Sequence, residues 1–348
     1  MKGVRIVGSG LIGTSIALAL SAEGIPVEMT DLDDDRAALA QDLVGNAHID
    51  EVDLVVLAIP TSQLSRVISK EFQLNPKAAF IDVGSVKAKP LHQIDSNLAL
   101  SSRFCGTHPM AGREIGGPEA ARSDLFLGRP WIYTPTTNCD EDVVPLVIEL
   151  IETLGATPIR MTPGEHDSAV ALISHLPQIS ASLLAKQLHA GSEDWLALAG
   201  QGVKDTTRIA ASDPQLWREI VAMNRERIRP LLIKMSEDLT NLISEFDDDD
   251  AIEEFIAEGR SGRERIPGKH GGRPRDYTSL PIVIEDKPGQ LAALFRECAD
   301  AHVNIEDLSI EHSPGQFTGL ITLALSPSDA VHLAAHLADR GWNVHLPR

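Results

Sequence analysis

Aromatic side chains are scarce in this chain of 348 residues, at 4%. The core must therefore be mostly aliphatic. Cysteine is scarcer still, and Cys105, Cys139 and Cys298 are far apart and odd in number. That excludes a C-x-x-C pair and a disulfide framework, and makes a reducing cytoplasm the expected compartment. Positive charge is in deficit, with 31 Lys and Arg against 50 Asp and Glu, a net charge of −19. This argues against nucleic acid or an anionic membrane as partner, and an anionic substrate would need a local cationic pocket. No apolar run approaches the roughly 18 residues needed to span a bilayer. Strand-like sequence begins by Val4 and leaves no room for a signal peptide. What is present is an ordinary globular balance, 43% hydrophobic and 23% charged, long enough for two or three domains.

Residues 1–162 alternate short apolar runs with helical stretches. Val4–Val7, Val27–Thr30, Leu54–Ile59, Phe80–Val83, Trp131–Tyr133 and Pro158–Met161 read as strands. The alternation predicts a mainly parallel, doubly wound α/β sheet. At Thr162-Pro163-Gly164-Glu165 a capping box opens an all-α domain, residues 163–246, in which Pro177 should kink or interrupt the first long helix. Its long apolar helices suit a helical dimer, with a single-chain bundle as the simpler alternative. Residues 247–276 read as a solvated mixed-charge linker, acidic then basic, with a short helix around Ile252, Phe255 and Ile256. Residues 277–348 follow the order βαββαβ, a ferredoxin-like α+β domain.

Gly8-Ser9-Gly10-Leu11-Ile12-Gly13 lies between the first strand and the first helix. Gly8 permits the tight turn, Gly10 lets a pyrophosphate approach the backbone, and Gly13 lets helix and strand pack closely. Asp31 ends the second strand, 18 residues after Gly13. It can accept from a ribose 2′-hydroxyl and would repel a 2′-phosphate, so NAD is the expected cofactor. Arg36 is the one neighbour that favours NADP. His108, in Gly106-Thr107-His108-Pro109-Met110-Ala111-Gly112, reads as a proton-transfer group on a stiff loop just past a strand end. Ser85, Lys87 and Glu114 fall nearby. The helical domain adds His166, His175, Gln178, Lys204, Asp205 and Arg208. His166 and His175 are nine apart with no H-E-x-x-H, so no metal site is expected.

Six segments carry a resemblance to a known family: the glycine loop, Asp82-Val83-Gly84-Ser85-Val86-Lys87, His108-Pro109-Met110-Ala111-Gly112, Glu165-His166-Asp167, Ser174-His175-Leu176-Pro177 and Thr207-Arg208-Ile209-Ala210. Over residues 1 to about 246 the chain resembles the prephenate/arogenate dehydrogenases of tyrosine biosynthesis. The resemblance implies that His108 takes the proton of the substrate's ring hydroxyl as hydride leaves for NAD. Ser85 would orient that hydroxyl, Arg208 would hold the side-chain carboxylate, and Glu114 would lie at the pocket rim. His166 and His175 would support the site rather than catalyse. One position departs from the pattern. Some family members carry a histidine where this chain has Gln178. A neutral glutamine offers no charge to the ammonium of arogenate, which favours prephenate, although Asp205 or a partner-chain carboxylate could serve instead.

The C-terminal unit resembles an ACT domain. The resemblance makes Asp286, Pro288, Gly289, Gln290 and Leu291 its ligand loop, Asn304 and Ile305 the start of its facing strand, and tyrosine the natural effector. Two other classes stay in view: a β-hydroxyacid or imine reductase of similar architecture, and a metabolite sensor that merely binds NAD.

Overall fold

The computed structural model describes residues 1–45, 48–112, 116–266, 277–312 and 317–347. It divides into two compact units, Met1–Asp238 and Leu239–Arg348.

In the first unit, β1 (Val4–Val7), β2 (Val27–Thr30), β3 (Leu54–Leu57), β4 (Ala79–Asp82), β5 (Phe104–Pro109), β6 (Pro130–Pro135) and β7 (Thr157–Arg160) form one sheet in the order β2-β1-β3-β4-β5-β6-β7. β1 to β5 run parallel, β6 is antiparallel to β5, and β7 is parallel to β6. The expected doubly wound sheet is present, and side-chain alternation explains it. Leu54 and Val56 join a core with Ile16, Leu20 and Val147, while Val55 and Leu57 join a second core with Leu64, Ile68 and Leu91. Strands apolar on both faces demand helices on both faces. The order reverses at β1, between β2 and β3, and the loops leaving β1 and β3 part at such a point.

His108 corrects the sequence reading. It lies within β5, opposite Ile132, and not on a loop beyond the strand. The antiparallel return of β6 extends the ladder through Pro109. Gly106 is likewise inside the strand, where a Cβ would come within 2.6 Å of Thr134 Oγ1 and 2.7 Å of Leu91 Cδ1. Close packing, rather than a relaxed turn, requires that glycine.

The capping box forms as expected: Thr162 accepts from Glu165 N, and Glu165 returns to Thr162 N. The helix Pro163–Val170 passes into a π-helical turn, Ala171–His175, and then into Leu176–Gln187. Pro177 sits in the first turn of that last helix, so the π-turn absorbs its missing donor without ending the rod. The helical stretch Pro163–Ala190 is long enough to cross a membrane and contains an 18-residue window of mean hydropathy 1.3, although no unbroken apolar run marks it in the sequence. Its polar face nevertheless bonds to the sheet region, through Asp167 to Lys87 and Ala88. The helix Pro214–Ser244 breaks its regular geometry at Asn224, a buried residue.

In the second unit the short helix expected around Ile252, Phe255 and Ile256 is present and is longer than expected. Asp248 caps a 16-residue helix, Asp249–Glu264. Acidic residues at its start and Arg263 at its end complement the helix dipole. The basic residues Lys269, Arg273 and Arg275 lie outside the described residues. Beyond them, β8 (Thr278–Glu285), β9 (Asp307–His312), β10 (Thr318–Leu325) and β11 (Asn343–Val344) form an antiparallel sheet in the order β11-β8-β10-β9. Its core joins Leu280, Ile282, Ile321 and Leu323 to Leu294, Cys298, Leu333 and Leu337 of the helices Gln290–Asp300 and Pro327–Asp339. The second strand of this unit, β9, begins at Asp307, later than expected, so Val303, Asn304 and Ile305 precede it as irregular chain. Ser313, Pro314 and Gly315, between β9 and β10, lie outside the described residues.

Candidate active site

The glycine loop leaves β1 at the reversal of strand order. Gly8 has φ +110°, and a Cβ there would meet Ala58 O at 2.2 Å. A Cβ on Gly13 would lie 2.1 Å from Gly8 O, so helix and loop touch backbone to backbone. Around Gly10, by contrast, nothing approaches a Cβ within 4 Å, and Gly10 provides no side-chain cap to the helix Leu11–Ala22. Uncapped N–H groups beside open space suit an anion. Asp31 closes the loop from β2: its Oδ2 accepts from Ser9 N at 2.7 Å and its Oδ1 from Asp33 N at 3.1 Å. Each oxygen keeps a further lone pair for a ribose hydroxyl. These residues fit a dinucleotide.

The second cluster is built around His108. Its Nδ1 is 2.8 Å from His166 Nε2, and His166 Nδ1 is 2.8 Å from Asp167 Oδ1. Asp167 also accepts from the backbone N–H of Lys87 at 2.8 Å and of Ala88 at 2.9 Å. Its main-chain carbonyl accepts from Asn224 Nδ2 at 2.8 Å, and that same amide nitrogen lies 3.2 Å from His175 Nδ1. Trp217 meets the His175 ring edge-on, with centroids 5.9 Å apart. Burial holds His108 well below its ordinary value of 6.5, reinforced by His166, Lys87 and His175. Burial likewise pushes His175 down to about 4. For Asp167 burial pulls upward, but the hydrogen bonds from His166, Lys87 and Ala88 outweigh it and hold the carboxyl low.

Beneath this cluster Lys87 and Asp82 form a buried ion pair. Asp82 accepts as well from Gly84 N at 3.0 Å and from Thr107 N at 3.1 Å. The pair thus ties the end of β4 to the residue before His108.

The other sequence candidates are placed unevenly. Ser85 is half-buried in the bend after β4. It does not cap the next helix, because Asp167 takes the N–H groups there. Gln178 is buried; its Oε1 accepts from Ser212 Oγ at 3.3 Å and its Nε2 donates to Ser182 at 3.4 Å. Arg208 opens the turn Arg208–Ala211 and is exposed, as are Lys204 and Asp205 on the preceding helix Gln201–Thr207. Asp205 accepts from Gln201 at 2.7 Å. Glu114 lies outside the described residues. Sequence reasoning missed the roles of Asp167, Asp82 and Asn224. Asp167 had a signal, a carboxylate directly after His166; Asn224, a lone amide inside a long helix, had little.

Comparison with known proteins meets this geometry from outside. The nucleotide-binding domain of prephenate dehydrogenase matches residues 16–160, and the dimerization domain of the same enzyme matches residues 162–258. A probable prephenate dehydrogenase of Streptomyces niveus is 30% identical over 359 residues, covering 98% of this chain and 99% of its own. The chain belongs to the prephenate dehydrogenase family. A crystal structure of prephenate dehydrogenase from A. aeolicus, in complex with hydroxyphenyl propionate and NAD+, is 29% identical with TM-score 0.68, over 76% of this chain and 97% of that one. A Synechocystis arogenate dehydrogenase structure is 28% identical with TM-score 0.63, over 76% of this chain and 99% of its own. For the prephenate dehydrogenase family, the two matched domains meet at the Thr162 capping box. The first match begins at residue 16, past the glycine loop, whose reading rests on its own geometry.

Proposed function

We propose that this member of the prephenate dehydrogenase family is an NAD-dependent enzyme that oxidises and decarboxylates prephenate to 4-hydroxyphenylpyruvate in tyrosine biosynthesis. One observation carries the reading. β1 to β5 are parallel, so the glycine loop after β1 and His108 near the end of β5 belong to the same edge of one sheet. A hydride acceptor and a proton acceptor are then offered on one side of the molecule.

In this proposal Gly8, Ser9, Gly10, Leu11, Ile12 and Gly13 receive the pyrophosphate and Asp31 the ribose. NAD, when bound, accepts the hydride of the ring carbon that bears the hydroxyl. His108 takes the hydroxyl proton, and Ser85 orients that hydroxyl. Arg208 holds the side-chain carboxylate, with Lys204 and Asp205 one turn before it and Gln178 reaching the same turn through Ser212. His166 and His175 support His108, and Glu114 belongs at the rim. The ketone formed is conjugated toward the carbon bearing the ring carboxylate, so carbon dioxide leaves and its electron pair completes the aromatic ring.

The alternative substrate is arogenate, and it has support in the similarly matched Synechocystis arogenate dehydrogenase. The neutrality of Gln178 favours prephenate. Purified protein with NAD is mixed with prephenate and separately with arogenate, and NADH formation is followed. The expected result is a higher kcat/KM for prephenate; turnover of neither substrate overturns the proposal.

Three further parts belong to this reading. Residues 1–162 bind nucleotide and 163–246 form the dimer, a division supported by the break between the matched domains and by exposed Leu183, Leu184, Trp195 and Leu198. Residues 277–348 are a ferredoxin-like ACT unit following the charged stretch 247–276, supported by the sheet order β11-β8-β10-β9. Tyrosine binds there through Asp286, Pro288, Gly289, Gln290, Leu291, Asn304 and Ile305. A cytoplasmic enzyme agrees with its three free cysteines.

A further inference from the structure

The reaction proposed above moves a proton without releasing one. The substrate oxygen gives up its proton when the ketone forms. The same oxygen becomes a phenolate when carbon dioxide leaves, and it then takes a proton back. Counting atoms, prephenate and NAD+ give hydroxyphenylpyruvate, carbon dioxide and NADH, with no proton left over. The protein therefore needs a place to hold one proton briefly, rather than a path to solvent.

We infer that Asp167, acting through His166, is the positioning residue that presents His108 with a bare Nε2 and shares the charge while His108 holds the substrate's proton. The inference rests on the prephenate reading and names how its base is prepared. Asp167 has its two oxygens turned to three N–H groups: those of Lys87 and Ala88 in the backbone, and that of the His166 ring. An ionised carboxylate only accepts, so His166 must carry its proton on Nδ1. His166 Nε2 then presents a lone pair to His108 Nδ1, 2.8 Å away. His108 must donate there, which puts its own proton on Nδ1 and leaves Nε2 as the basic atom. One carboxylate thus sets two tautomers in series.

When His108 Nε2 accepts the substrate proton, its Nδ1–H bond to His166 shortens or transfers. If transfer occurs, His166 is protonated on both nitrogens and lies directly against Asp167. The reverse shift returns the proton to the phenolate. Among the described residues the titratable groups acting on His108 are His166 on the helix Pro163–Val170, His175 at the π-turn, and Lys87, which is paired with Asp82 beneath. Lys87 and His175 both oppose a permanent positive charge on His108, which keeps the base free before substrate arrives.

The test uses the full chain with saturating NAD. In Asp167→Asn the side-chain amide can donate to His166 Nδ1 and invert both tautomers. The expected result is a kcat lower by about 10³-fold, with KM for prephenate within about threefold. Histidine ring 15N NMR should move the His108 proton from Nδ1 to Nε2. His166→Gln leaves the helix start at Lys87 and Ala88 untouched and still offers an acceptor to His108. It should keep substantially more activity than His166→Leu. A folded Asp167→Asn with kcat within threefold of the parent, or with the His108 proton unmoved, overturns the inference. Equal activity of the Gln and Leu variants also overturns it. The NMR readout needs no turnover, so it stands apart from the substrate assignment, which falls only if the parent protein turns over no prephenate.

Discussion

Asp167 caps a helix to which it does not belong: its carboxylate accepts the backbone N–H of Lys87 at 2.8 Å, 80 residues earlier in the chain. The helix Ala88–Asp95 has no side-chain cap of its own at Lys87. The helical region thereby completes the end of a helix in the sheet region and, through the same carboxylate, orients His166. Stability and the geometry of the site are joined in one group.

Lys87 itself should be costly to neutralise. Lys87→Met strands the buried Asp82 carboxylate with only the Gly84 and Thr107 N–H groups. We expect a loss of about 3–5 kcal/mol, read as a lower urea midpoint at pH 7. Adding Asp82→Asn should recover part of it. A loss under about 1 kcal/mol for the single variant would contradict the buried pair.

Two glycines of one loop should fail differently. Gly13→Ala places a methyl 2.1 Å from Gly8 O and 3.0 Å from Ala58 Cβ, and should cost about 1–3 kcal/mol of stability. Gly10→Ala meets nothing within 4 Å and should leave the melting temperature unchanged. Its methyl instead occupies the space intended for pyrophosphate, so Kd for NAD should rise at least about tenfold. Thermal melts with NAD titration separate the two, and unaltered NAD affinity in Gly10→Ala would move the phosphate elsewhere.

Stability should fall on mild acidification. His175 titrates at about 4 in the fold, against an ordinary 6.5. Between those values the unfolded chain binds the proton and the folded chain does not. The contribution is therefore complete above pH 6.5 and is lost as pH falls toward 4, a span of about 3 kcal/mol. Urea midpoints at pH 7 and pH 5 should differ less in His175→Gln than in the parent. Identical differences would remove His175 from the account. The lowered His108 also places the acid limb of kcat/KM below pH 6.5.

Tyrosine inhibition should depend on the C-terminal unit. Asn304→Ala in the full chain is expected to raise the inhibitory concentration at least about tenfold, with kcat unaltered in the absence of tyrosine. Equal inhibition of parent and variant would place tyrosine at the active site instead.

The parts legible in the sequence share a feature: their signals are local. The glycine spacing, Asp31, the Thr162–Glu165 box and the alternation of β3 all act within a few residues or along one strand. His108 stood out as a candidate from its segment, but its setting is within β5 and not on a loop. Whether β5 stops at Cys105 or continues through Pro109 depends on β6, whose Trp131 and Ile132 lie opposite Pro109 and His108. The helix expected around Ile252, Phe255 and Ile256 read as short because charge pattern alone cannot weigh the Asp248 cap and the helix dipole against solvation.

By itself the sequence determined the α/β alternation and singled out the glycine loop and His108, because backbone sterics and periodicity are properties of the chain. Only the tertiary structure decided what surrounds that histidine. Asp167, the Asp82–Lys87 pair and Asn224 are distant from one another in sequence, and they meet through groups supplied by different elements. A carboxylate's consequence for a histidine tautomer depends on angstrom-scale distances across the fold, which no spacing along the chain encodes.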